Sequence, residues 1–110
     1  MKIEITQQNY LESLKYFSEE LNKAIEQNNN NINSIVSNGN ICSILQDSIF
    51  YRAEKVNSID SDNQYAIGSY NGLVLVVDKL QRWDDGIIYL KNNDEVILTI
   101  QLVDDNNVLI

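Results

Sequence analysis

The spacing of apolar residues changes once along this chain, near residue 40, and that change limits the folds open to it. Before it, Leu11, Leu14, Phe17, Leu21 and Ile25 recur every three or four positions in "QQNYLESLKYFSEELNKAIEQ", and Glu12, Lys15, Glu19, Glu20 and Lys23 fall mostly between them. A stripe of that period covers one face of an α-helix, with Thr6 or Asn9 placed to cap it. After the change the period is two. "SIFYRAEKV" (48–56) sets Ile49, Tyr51 and Ala53 against Phe50, Arg52, Glu54 and Val56, as in a strand with one partly wet face.

Between the two regimes lies "EQNNNNINSIVSNGN" (26–40). The helical phase continues through it, from Asn28 or Asn29 to Ile32 and then to Ile35 and Val36. Each asparagine costs a helix roughly 0.5 kcal/mol against alanine, so four cost about 2 kcal/mol. Burial of Ile32, Ile35 and Val36 returns about 1.5 to 3 kcal/mol apiece. The balance favours a helix over about 7–37, kinked or broken near 28–31 and stopped at Gly39. The rival is a helix to 27, a loop, and a second short helix at 32–37. A helix of some 30 residues would be about 45 Å long and would overhang a domain of this size. Its stripe of Ile25, Asn29, Ile32, Ile35 and Val36 would then be a self-association surface, with the buried asparagine setting register between copies.

The second half reads as a series of strands and turns. Asn71-Gly72 is the preferred pair for a two-residue type I′ hairpin. "LVLVV" (73–77) is apolar on both faces and suits a central strand. "IIYL" and "EVILTIQLV" follow, separated by the turns "WDDG" (83–86), "KNND" (91–94) and "DDNN" (104–107). No helical pattern recurs between strands, which argues against βαβ units. At 110 residues there is room for one core. The expected fold is α+β: one domain over 1–110, a long N-terminal amphipathic helix on an antiparallel meander of about five or six strands. The apolar end "NVLI" should form a last strand or dock on another chain.

Composition narrows the chemistry. The chain has no histidine, which removes the commonest general base and transition-metal ligand. The four glycines are scattered, so no phosphate-cradling loop forms. Cys42, between Ile41 and Ile44, reads as a small buried hydrophobe. The stretch from Asp60 begins like a calcium loop, but Tyr65 stands where glycine belongs and Asn71 where glutamate belongs. Asp84 with Asp85, and Asp104 with Asp105, could share an ion if their turns met, although Asp and Asn also serve tight turns through local hydrogen bonds. Neither catalysis, nor a cofactor, nor a metal site is expected.

Formal charge is −8, with five basic and seven acidic residues in 1–55 against three and nine in 56–110. Such a surface repels nucleic acid and favours a basic partner. No apolar stretch is long enough to cross a bilayer, and "MKIEITQQ" lacks the apolar core of a secretory signal, so a protein of the cytoplasm or of a virus particle is expected. Arg82 and Trp83, ahead of two aspartates, are the kind of anchor that dominates interfaces, or else the indole folds back to shield the edge of the meander. The sequence thus points to a non-enzymatic acidic module that binds protein and masks a basic partner, in the physical style of toxin-immunity proteins and small phage inhibitors of host defence. Its contact residues would be Arg82, Trp83, Asp84, Asp85, Asp104 and Asp105. The alternative is an oligomeric structural subunit of a larger assembly such as a phage virion, pairing through the N-terminal helix.

Overall fold

The computed structural model describes residues 2–5, 10–28, 30–54, 61–83 and 85–104. In chain order the elements are β1 (Lys2–Ile5), α1 (Tyr10–Gln27), β2 (Ser34–Ser37), α2 (Gly39–Gln46), β3 (Tyr51–Arg52), β4 (Gln64–Tyr70), β5 (Leu73–Asp78), β6 (Ile87–Asn92) and β7 (Glu95–Asp104). The fold is α+β, as the change of period predicts, and α1 packs on the sheet through Phe17, Leu21, Ala24 and Ile25. The capping positions Thr6 and Asn9 lie outside the described residues, as does the apolar C-terminal end. Among the described residues no helix is long and apolar enough to cross a membrane.

The seven strands lie in the order β1-β7-β6-β2-β5-β4-β3. Two antiparallel hairpins, β4–β5 and β6–β7, supply most of the sheet, and β2 is inserted between them, antiparallel to β6 and parallel to β5. The expected continuous meander is therefore interrupted, and the sheet is mixed, with β1 also parallel to β7. Strands β1, β2 and β3 all run the same way, so α1 and α2 are crossover connections. The expectation against βαβ units is corrected on this point. It failed because the four-residue strands β1 and β2 on either side of α1 were not read as strands, and because α2, only eight residues long, is too short to declare a helical period.

The asparagine run is also corrected: the helix stops at Gln27, and 34–37 are strand rather than helix. Asparagine side chains compete with the helical backbone for hydrogen bonds. Asn28 Nδ2 donates to Ala24 O at 2.8 Å, and Asn31 N–H closes a turn on Asn28 O at 2.8 Å. Asn33 then enters the sheet, its N–H donating to Lys91 O and its carbonyl accepting from Val74 N–H. Ile35 and Val36 gain more from the centre of a sheet, where β-branched residues pack well, than from a lengthened helix. Gly39 accordingly opens α2 instead of stopping α1. Of the described part of "SIFYRAEKV", residues 48–54, only Tyr51–Arg52 is strand, because Ser48–Phe50 form the turn out of α2.

Asn71-Gly72 makes the predicted hairpin, with φ of 49° and 82° at the two turn residues and Tyr70 paired with Leu73. Strand β5 is interior, as expected of "LVLVV", and it buries alternate residues most deeply. Register puts Ile35, Leu75 and Leu90 in one row and Ser37, Val77, Ile88 and Ile100 in the next. Both helices cover this face: Ile41, Cys42, Ile44 and Leu45 of α2 share one apolar cluster with Phe17, Leu21, Ala24 and Ile25 of α1 and with the sheet. Among the described residues the opposite face of the sheet carries no helix.

Candidate partner-binding site

The site forms where β5 hands over to β6, in the loop 79–86. Asp78 starts it with an Asx turn: its Oδ1 accepts from Leu80 N–H at 2.9 Å. Lys79 fastens the first residue to the β4 side, its N–H donating to Asn63 O at 2.7 Å and its ammonium lying 5.2 Å from the centre of the Tyr65 ring. A second turn follows, with Asp85 N–H donating to Arg82 O at 3.0 Å. Gly86 O then accepts from Leu102 N–H at 2.7 Å, which ties the end of the loop to β7.

Asn38 holds the middle of this loop. It is 1% exposed and serves two structures at once. As N-cap of α2 it has extended dihedrals, and its Oδ1 accepts from Ile41 N–H at 2.8 Å. Its Nδ2 donates to Arg82 O at 2.7 Å and to Asp85 O. One amide supplies an acceptor to the helix and both of its donors to the loop, a division that only asparagine at this reach can make. Neighbouring Asn40 adds a long contact, Nδ2 to Trp83 O at 3.5 Å.

A loop held this way by its backbone is free to turn side chains outward. Leu80 and Trp83 are each 73% exposed, Arg82 is exposed and Asp85 is half-buried. The indole therefore does not fold back to shield the sheet edge. Of the six residues expected to contact a partner, Arg82, Trp83 and Asp85 stand together here. The hydrogen bond from Leu102 to Gly86 places the Asp104 end of β7 at the same end of the sheet as this loop. Asp84 and Asp105 lie outside the described residues. Among the described residues no three Asp, Glu or Cys side chains are grouped to hold a metal ion.

The residues expected to pair copies of the chain are placed differently. Ile25, Ile32, Ile35 and Val36 are buried within this chain, the first on α1, the second ahead of β2 and the last two in β2. They form no overhanging helical stripe, because the stripe ends with α1. Asn29 lies outside the described residues.

Sequence reasoning missed Leu80 and Asn38. Leu80 carried no periodic signal, being a lone apolar residue in a polar loop. Asn38 had one: an Asn three residues before Ile41, ahead of the apolar run Ile41, Cys42, Ile44 and Leu45, is an N-cap pattern, hidden by reading Gly39 as a stop. Cys42 is as inert as its neighbours imply. Burial pushes its thiol up to about 12, only partly offset by the Ser37 carbonyl, which its Sγ meets at 3.7 Å. Burial also pushes the Tyr70 phenol up; Ser18, Ser48 and Asn22 pull it partly back, yet none of them meets its hydroxyl in hydrogen-bonding geometry. Comparison with protein-family models, with curated proteins and with solved structures finds no match to this chain.

Proposed function

We propose that this chain is a non-enzymatic protein-binding module that presents Leu80, Arg82, Trp83 and Asp85 to a partner with a basic surface and masks that surface. The observation that carries the reading is the double role of Asn38. It fixes the backbone of the loop from inside, so an exposed indole and an exposed leucine sit on a platform ordered before any partner arrives. Preorganisation of this kind lowers the entropy lost on binding. Tryptophan and arginine are the residues that most often dominate an interface. The charge of −8 supplies attraction at a distance for a cationic partner. The assembly-subunit alternative drew on a long overhanging helix, and α1 ends at 18 residues with Phe17, Leu21 and Ile25 of its stripe buried.

The test is affinity capture from the native host with the whole chain as bait, quantified by mass spectrometry beside two variants. A basic protein retained by the wild type should be lost with Trp83→Ala and weakened with Asp85→Lys. Its retention should also fall as NaCl is raised from about 50 to about 300 mM, as screening requires. A captured set that is the same for all three baits, or indifferent to salt, would refute the reading.

A further inference from the structure

The sheet face turned away from the helices has a composition unlike the rest of the chain. Register brings Val36, Val74, Val76 and Tyr89 together at its centre, on the side opposite to Ile35, Leu75 and Leu90. None of the four belongs to the apolar cluster under the helices. Val36 is closed over by its neighbours, whereas Val74, Val76 and Tyr89 each keep part of their surface accessible. By the same register strands β2 to β7 place one acid, Asp78, on this face against two bases, Arg52 and Lys91, and β1 adds one position of each kind, Glu4 and Lys2. The surplus acid of a chain at −8 therefore lies elsewhere.

We infer that this face is where two copies of the chain associate, packing sheet against sheet about a two-fold axis. Two such chains repel one another through any approach that brings their acidic surfaces together, and this is the approach that does not. A near-neutral face with an apolar centre can meet a copy of itself without opposing like charges, as an isologous dimer requires. A basic partner gains no attraction from it, so the second copy is the occupant that the charge distribution selects.

The area sets the strength. Five strands, β4, β5, β2, β6 and β7, at about 4.8 Å spacing and with about five residues each, give roughly 24 by 16 Å, close to 400 Å² in plan per copy. A pair would bury about 800 to 1,000 Å² in total, the low end of specific interfaces, so the dimer should be reversible with a dissociation constant of about 10 to 100 μM. This inference does not depend on the loop: its interface is the sheet face, and its response to salt has the opposite sign.

Sedimentation equilibrium on the whole chain, from about 5 to about 500 μM at low and at moderate salt, tests it. Expected is a monomer–dimer equilibrium that tightens as NaCl rises, because screening relieves the repulsion between copies. Val76→Lys sets two new cations against each other at the centre of the interface and should weaken the dimer at least about tenfold. Thr99→Glu, at an exposed position paired with Tyr89, should do the same and decides the matter if Val76→Lys fails to fold. Trp83→Ala should leave the dimer intact. The inference is overturned by a monomer throughout the range at both salt concentrations, by a dimer that neither face substitution weakens, by one that added salt dissociates, or by one that Trp83→Ala breaks.

Discussion

Asn38 links the helix layer to the binding loop with one amide, and its substitutions separate the two tasks. Asn38→Ala removes the cap and both loop hydrogen bonds; Arg82 O keeps the Asp85 N–H, while Asp85 O loses its amide donor in a part-buried setting, for a loss of about 2 to 3 kcal/mol. Asn38→Asp keeps an acceptor for Ile41 N–H, and aspartate is as good an N-cap as asparagine. It nevertheless sets carboxylate oxygen against the carbonyls of Arg82 and Asp85, so it should destabilise at least as much as Asn38→Ala. Urea unfolding gives the order; an aspartate variant as stable as wild type would show that the cap alone matters. Cys42 makes a different residue-level prediction. Below about pH 8 its thiol is protonated whether the chain is folded or not, so it adds no pH dependence. Above its ordinary value of 9.0 the unfolded thiol ionises while the folded one keeps its proton to about 12. Stability should therefore fall across that alkaline window by up to about 1.4 kcal/mol per pH unit for this one proton. Tyr70, raised by burial, adds a fall of the same sign. Cys42→Ala should flatten the slope in urea unfolding at pH 9 to 11, and an unchanged slope would assign the loss to other groups.

Among the elements, the two glycines of the β4–β5 hairpin show what was and was not legible in the sequence. Gly72 follows Asn71, and the pair announces its turn by residue type alone, because few other residues accept two successive positive φ angles. Gly68, at φ 146°, sits at the β-bulge between Ala66 and Gly68, and a Cβ there would run into Arg52 O. Nothing local marks it: the requirement comes from the short strand β3, which is brought alongside from 16 residues earlier by Tyr51, whose hydroxyl donates to Ile67 O at 2.6 Å. The expected cost follows that difference. Gly72→Ala meets open space and should cost about 1 kcal/mol, from its backbone angle only. Gly68→Ala adds a backbone clash that moves β3 and should cost about 3 kcal/mol or more. Equal losses in thermal unfolding would mean that β3 gives way freely. The stretch from Ile32 to Val36 was misread for a related reason. Its apolar residues fit a helical period and a strand about equally, and in so short a run only distant partners decide. Leu75 and Leu90 flank Ile35, and both lie some 40 or more residues away along the chain.

At the scale of the whole molecule, class and charge were legible, and strand order was not. The period-two pattern of the second half specifies strands and hairpins, but the insertion of β2 between the two hairpins joins segments by parallel pairing, which leaves no turn signature. The candidate loop was half legible: Trp83 and Arg82 stood out by type, whereas the residue that orders them sits 44 positions away. Charge acts on the entire fold, and it yields the last prediction. With 16 acidic residues against 8 basic, repulsion within the chain opposes compaction. The Lys23–Glu20 pair is exposed and of the kind worth little, so screening sacrifices almost nothing there. Raising NaCl from about 20 to about 300 mM should therefore increase the melting temperature, by a few degrees for a chain of this length. The same change should weaken capture of a basic partner. If self-repulsion is the cause, Asp62→Asn with Glu95→Gln, two exposed charges removed without touching the core, should raise the low-salt melting temperature and flatten its response to salt. A melting temperature that falls with salt would mean that attractive pairs outweigh the surplus of acid. The direction of the shift, read by calorimetry at a concentration below that of dimer formation, settles which of the two governs the fold.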